Sequence, residues 1–159
     1  MTLASRSTDD DLRRDDLSGS RPVRRLLYVE DDLANLKLVE RLLQRRPNFV
    51  LLSAETGQRG LLLARSSLPD VILLDFGLPD LSGLEVLAQL RSDLATAHIP
   101  VIAINGNAMP NDIRTGLQAG LFGYLTKPIK LNEFTTTLDA ALEQARLQSA
   151  KVSPPGELT

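Results

Sequence analysis

Val71-Ile72-Leu73-Leu74-Asp75 is a run of four branched aliphatic residues closed by a carboxylate, and its reading decides the fold. A strand with one wet face alternates apolar and polar residues. An unbroken Val-Ile-Leu-Leu run is the pattern of a strand buried on both faces, as in a parallel sheet covered by helices. Similar short runs stand on either side: Leu26 to Val29 and Phe49 to Leu52 before it, Pro100 to Ile104 and Leu121 to Leu125 after it. Between them apolar residues recur at three-and-four spacing, first Leu36, Val39 and Leu43, then Leu84, Leu87 and Leu90, then Phe134, Leu138 and Leu142. That spacing puts each set on one face of a helix. Gly57 to Ser66 reads as another helix, and Pro110 suits the first turn of one that reaches Ala119 and ends at Gly120. The order is βα repeated five times. Parallel neighbours need crossovers of this length, so the expected class is α/β, a doubly wound five-stranded parallel sheet with five helices.

The 159 residues, 43% hydrophobic and 24% charged, suit one domain with tails. The folded part is expected over 23–148. Residues 1–22 mix Ser, Thr, Asp and Arg without an apolar period and read as a flexible N-terminal arm. Residues 149–159, which include Pro154-Pro155-Gly156, read as a disordered C-terminal tail. With no cysteine, disulfides, thiolate nucleophiles and Cys-type metal sites are excluded, and a cytoplasmic protein is expected. Eighteen basic against 20 acidic residues, a net charge of -2, argue against nucleic acid or an anionic membrane surface as partner. No apolar stretch approaches the ~20 residues of a membrane span. His98, the only histidine, has no second ligand at metal-binding spacing. Arg24-Arg25 and Arg45-Arg46 read as surface charges rather than nucleic-acid clamps.

The functional signal is positional. Glu30, Asp31 and Asp32 follow the first apolar run, Asp75 the third and Lys127 the fifth. In a parallel sheet with right-handed crossovers, these strand ends share one edge. Taken singly, each acidic residue reads equally as a helix cap or a solvated side chain, and for Asp32 the cap is the favoured reading. The coincidence at three strand ends makes Glu30, Asp31, Asp75 and Lys127 candidate partners in one site. Carboxylates brought together raise one another's pKa unless a cation neutralises them, and hard oxygen ligands suit Mg²⁺ or Mn²⁺. Magnesium typically takes one or two carboxylates plus a phosphate oxygen. The cluster therefore points to phosphoryl chemistry, with Lys127 offsetting charge on the transferred group.

Three motifs carry a resemblance: Leu27-Tyr28-Val29-Glu30-Asp31; Val71 to Asp75 with Leu78-Pro79-Asp80 and Gly83; and Tyr124-Leu125-Thr126-Lys127-Pro128-Ile129. From about Arg24 to Ala145 the chain resembles the receiver domain of two-component response regulators. Asn35-Leu36 and Asn107-Ala108-Met109-Pro110 are most similar to receivers found in hybrid sensor kinases. The resemblance implies a CheY-like, flavodoxin-like (βα)5 fold with strand order 2-1-3-4-5. It implies that Asp75 accepts a phosphoryl group from a phosphohistidine on a sensor histidine kinase or histidine phosphotransfer protein, with Mg²⁺ (or Mn²⁺) as cofactor. Asp31 and Asp75 would ligate the ion directly, Glu30 through water and Gly77 through its backbone carbonyl. Lys127 would face the phosphoryl charge beside a cis Lys127-Pro128 bond. Slow autodephosphorylation without kinase activity is implied as well, with output through contact with an unknown downstream protein. A weak homodimer through the fourth and fifth helices stays open.

One position departs from the family pattern. Receivers usually carry Ser or Thr after the fourth strand, and here Asn105 stands there, followed by Gly106 where a small residue is expected. An amide can donate to a phosphoryl oxygen, but it is longer than a serine hydroxyl and differently shaped, so the loop cannot close identically. Tyr124 occupies the place of the family's switch aromatic. Retention of Asp75, Asp31 and Lys127 favours a phosphorylatable single-domain response regulator with altered coupling. The alternative is a degenerate receiver that acts as a constitutive protein-docking module. A phosphohydrolase would need an Asp-x-Asp pair that Asp75-Phe76-Gly77 lacks, and a nucleotide-binding kinase a P-loop that the chain lacks.

Overall fold

The computed structural model describes residues 22–106 and 109–151. Strands β1 (Arg24–Val29), β2 (Phe49–Ala54), β3 (Val71–Asp75), β4 (Val101–Asn105) and β5 (Gly123–Thr126) alternate with helices α1 (Leu33–Leu43), α2 (Gly57–Ser67), α3 (Gly83–Ser92), α4 (Pro110–Ala119) and α5 (Leu131–Lys151). The sheet order is β2-β1-β3-β4-β5, and every neighbouring pair is parallel. From β1 the chain steps outward to β2 and then returns past β1 to β3. The reversal leaves a crevice at the carboxyl ends of β1 and β3, where open α/β sheets bind ligands.

Every residue of β3 is buried, as an aliphatic run covered on both faces requires. The period of two then sorts side chains into two cores. Leu27, Val29, Ile72, Leu74, Val101 and Ala103 pack with Leu61 and Ala64 of α2 and Val86, Leu87 and Leu90 of α3. Leu26, Tyr28, Leu73, Ile102 and Ile104 pack on the other side with Val39 and Leu43 of α1 and Phe134, Leu138 and Ala141 of α5. Each large apolar side chain fully buried in these layers contributes about 1.5–3 kcal/mol.

Local chemistry sets the helix ends. The Asp32 carboxylate accepts from the Ala34 amide at 2.8 Å as the N-cap of α1, the role favoured for it above. Ser82 and Glu85 form a reciprocal capping box on α3. Pro110 opens α4, and Gly120, at φ 113°, closes it.

Four expectations are corrected. Leu121 and Phe122 precede β5, because Leu121 N–H donates to Gly116 O at 3.0 Å in the turn that ends α4; the buried Leu121 is the apolar contact that accompanies such an ending. Leu84 is exposed, since the inner stripe of α3 is Gly83, Val86, Leu87 and Leu90 and Leu84 lies on its flank. Asp75 and Asn105 are the last residues of β3 and β4 rather than the first beyond them. At the far end α5 continues past 148 to Lys151, as no helix breaker occurs before Pro154. Residues 1–21 of the arm expected over 1–22 and the remainder of the tail at 152–159 lie outside the described residues, as do Asn107 and Ala108. Among the described residues no helix is long and apolar enough to cross a membrane.

Candidate functional site

The carboxyl ends of β1 and β3 bring three acids together. One carboxylate oxygen each from Glu30, Asp31 and Asp75 lie within 4.8 Å of one another. Glu30 and Asp75 are buried while Asp31 is exposed, so the cluster opens to solvent on the Asp31 side. The residue after β5 supplies the cation. Lys127 Nζ stands 3.5 Å from Glu30 Oε1 and 3.4 Å from Asp75 Oδ1, and Lys127-Pro128 is a cis peptide. Gly77 N–H donates to Asp75 Oδ1 at 3.0 Å, which places Gly77 at the rim of the cluster. The four ionisable candidates, taken from three strand ends, therefore do meet.

Glu30 is held at both oxygens. Tyr28 O–H donates to Oε1 at 2.7 Å and Asp32 N–H to Oε2 at 3.1 Å. Burial pushes the Glu30 carboxyl above its usual range; the Tyr28 hydrogen bond opposes this and Asp75 adds to it. Burial, with Glu30 beside it, likewise pushes the Tyr28 phenol up. Three hard oxygen donors against a single ammonium leave an excess of negative charge in a partly enclosed cleft. That donor set fits a divalent cation of the Mg²⁺ type.

Asn105 and Tyr124 form a second group beside the first. Asn105 Nδ2 donates to the Tyr124 hydroxyl at 3.2 Å. The Tyr124 ring meets the ring of Phe76 edge-on, with centroids 5.8 Å apart, and Phe76 directly follows Asp75. Lys127 N–H donates to Asn105 O at 2.9 Å. Asp75, Phe76, Tyr124, Asn105 and Lys127 thus close a ring of contacts, completed by the Lys127–Asp75 ion pair. Phe76 fits because position 83 is glycine: a Cβ there would stand 2.1 Å from Phe76 Cδ1.

Three contributors carry roles that the sequence reading does not assign. Tyr28 lies two residues before Glu30 on the same face of its strand, a signal available from the period of two. Phe76 carries none. Asp80 grips α2 through Gly57 N–H at 2.8 Å and Gln58 N–H at 3.0 Å, partners remote in sequence; those hydrogen bonds hold its carboxyl below the usual range. Of the residues set aside above, His98 is exposed, Arg25 donates to Ser67 O at 2.8 Å, and Arg46 pairs with Asp139 over the Phe49 ring.

Residues 26–139 match the response regulator receiver domain family. The chain belongs to this family. The receiver is 38% identical over 120 residues to the polar-differentiation response regulator DivK of Brucella ovis, covering 76% of this chain and 97% of that protein. It also superposes on the receiver domain of a sensor histidine kinase from Pseudomonas aeruginosa, at TM-score 0.68 and 30% identity over 76% of this chain and 98% of that one. That crystal structure has a magnesium ion coordinated in its active-site cleft. A CheY-like receiver from Methanospirillum hungatei, at TM-score 0.71 and 24% identity over 79% of this chain and 98% of that one, shares the fold.

Proposed function

We propose that this receiver takes a phosphoryl group on Asp75 from a phosphohistidine and signals by changing its contacts with other proteins. The observation that carries this reading is the position of Lys127 between the two buried carboxylates, 3.4 Å from Asp75 Oδ1, beside a cluster open at Asp31. A carboxylate oxygen of Asp75 attacks phosphorus as the P–N bond to the donor imidazole breaks, and the electron pair of that bond stays on the imidazole. Lys127 is the cation of the site and faces the charge on the transferred oxygens. Asp31 and Asp75 would hold Mg²⁺, with Glu30 acting through water and Gly77 through its carbonyl. The bound ion would supply further neutralisation of charge on the transferred group. Water attack on the aspartyl phosphate then returns the resting state slowly. The donor would be a sensor histidine kinase or a histidine phosphotransfer protein, met in the cytoplasm, and no kinase activity is ascribed to the chain.

The hydrogen bond from Asn105 to Tyr124 supports the altered-coupling form of this reading, because the amide is already engaged by the aromatic whose movement it would have to trigger. Intact mass after incubation with acetyl phosphate tests the proposal. One added phosphoryl group with Mg²⁺, absent with EDTA and absent in Asp75→Asn, supports it. No mass gain overturns it in favour of a constitutive docking module.

A further inference from the structure

We propose that Tyr28 is a positioning residue of the cation site, acting through Glu30. The inference rests on reading the acidic cluster as that site. Tyr28 is fully buried, and its ring packs in the core layer with Leu26, Leu73 and Ile104. Its hydroxyl reaches a buried carboxylate at the edge of that layer, Glu30 Oε1, at 2.7 Å. Glu30 is itself fully buried, and its second oxygen accepts from Asp32 N–H at 3.1 Å. Two donors on rigid supports, a core tyrosine and the N-cap backbone of α1, therefore fix the plane of this carboxylate. Oε1 also faces Lys127 at 3.5 Å.

That division of labour matters because Lys127 is also the cation for the transferred group. When its ammonium turns toward phosphoryl oxygens, Glu30 loses that ion pair. The Tyr28 hydroxyl stays, so the carboxylate keeps its hydrogen bond and its orientation. Hydrogen-bond partners behind a metal's ligands commonly set affinity by about tenfold or more.

Tyr28→Phe removes the hydroxyl and keeps the ring that fills the core. Mg²⁺ titrations by calorimetry at fixed ionic strength would compare the parent, Tyr28→Phe, Glu30→Gln and the double variant, with thermal unfolding in EDTA recorded for each. We expect about tenfold weaker Mg²⁺ binding in Tyr28→Phe and no further loss when it is added to Glu30→Gln, since the effect passes through that carboxylate. A purely structural role would weaken both backgrounds alike. Equal affinity of Tyr28→Phe and parent, or equal losses in both backgrounds, overturns the proposal while leaving the cation site in place. A parent that binds no Mg²⁺ overturns the cation site itself and this inference with it.

Discussion

The side-chain amide of Asn105 donates to the hydroxyl of Tyr124 across 3.2 Å, so the last residue of β4 and the aromatic of β5 hold one another. Asn105→Thr puts a hydroxyl on a shorter side chain that cannot span the same distance. The resting state is expected to lose about 1 kcal/mol, the ordinary contribution of one hydrogen bond. Tyr124 ring resonances should then shift more on adding beryllofluoride and Mg²⁺ than they do in the parent. Identical shifts in the two proteins would show that this bond does not restrain the ring.

Lys127 serves two buried carboxylates at once. Lys127→Ala leaves both without their cation, and stability in EDTA is expected to fall by about 2 kcal/mol. Mg²⁺ should restore part of the loss, because a ligand bound by the native state alone stabilises it by mass action. Urea unfolding of parent and variant, each with EDTA and with Mg²⁺, measures both effects. Greater protection of the parent than of the variant would contradict the account.

Phe76 lies against the α carbon of Gly83, where an added Cβ would come within 2.1 Å of the ring. Gly83→Ala must therefore displace an aromatic side chain or the start of α3, and the expected cost is about 1–3 kcal/mol. Phe76→Leu in the same chain should recover part of it. Chemical denaturation of the two single variants and the double variant gives the coupling directly; additive effects would mean that the two residues do not collide.

Asp80 accepts two backbone N–H groups at the start of α2, and its carboxyl is held below the usual value of 3.8. The unfolded chain therefore binds this proton at a higher pH than the native one does. The contribution of Asp80 is complete above about pH 4 and is lost as pH falls through the native value. Asp80→Asn should lower the melting temperature at neutral pH and flatten its decline below pH 4. An acid limb as steep as the parent's would remove Asp80 from the acid response.

Much of this was legible from residues alone, for physical reasons. β3 announced itself because a strand buried on both faces has no polar position to interrupt it. The convergence of Glu30, Asp31, Asp75 and Lys127 followed from the common direction of parallel strands. Leu121 misled because a buried leucine that closes a helix looks identical, in sequence, to one that opens a strand. Leu84 misled because three-and-four spacing has two solutions when leucines lie on both edges of a stripe. The grip of Asp80 on α2 joins segments that are adjacent only once the sheet has formed, and no local pattern encodes it. Tyr28 was visible as part of a motif, yet the purpose of its hydroxyl appeared only when Glu30 was found shielded from water.

The ring from Asp75 through Phe76, Tyr124 and Asn105 to Lys127 and back has two arcs between Asp75 and Tyr124. One is built from two rings that meet edge to face, the other from an ion pair, a main-chain link and an amide. Under the proposed function a change at Asp75 would have a detour, so a lesion in either arc alone should dull the response at Tyr124 rather than silence it. Such redundancy would let the chain tolerate an unusual residue in one arc, and would make substitutions in the two arcs far more harmful together than apart.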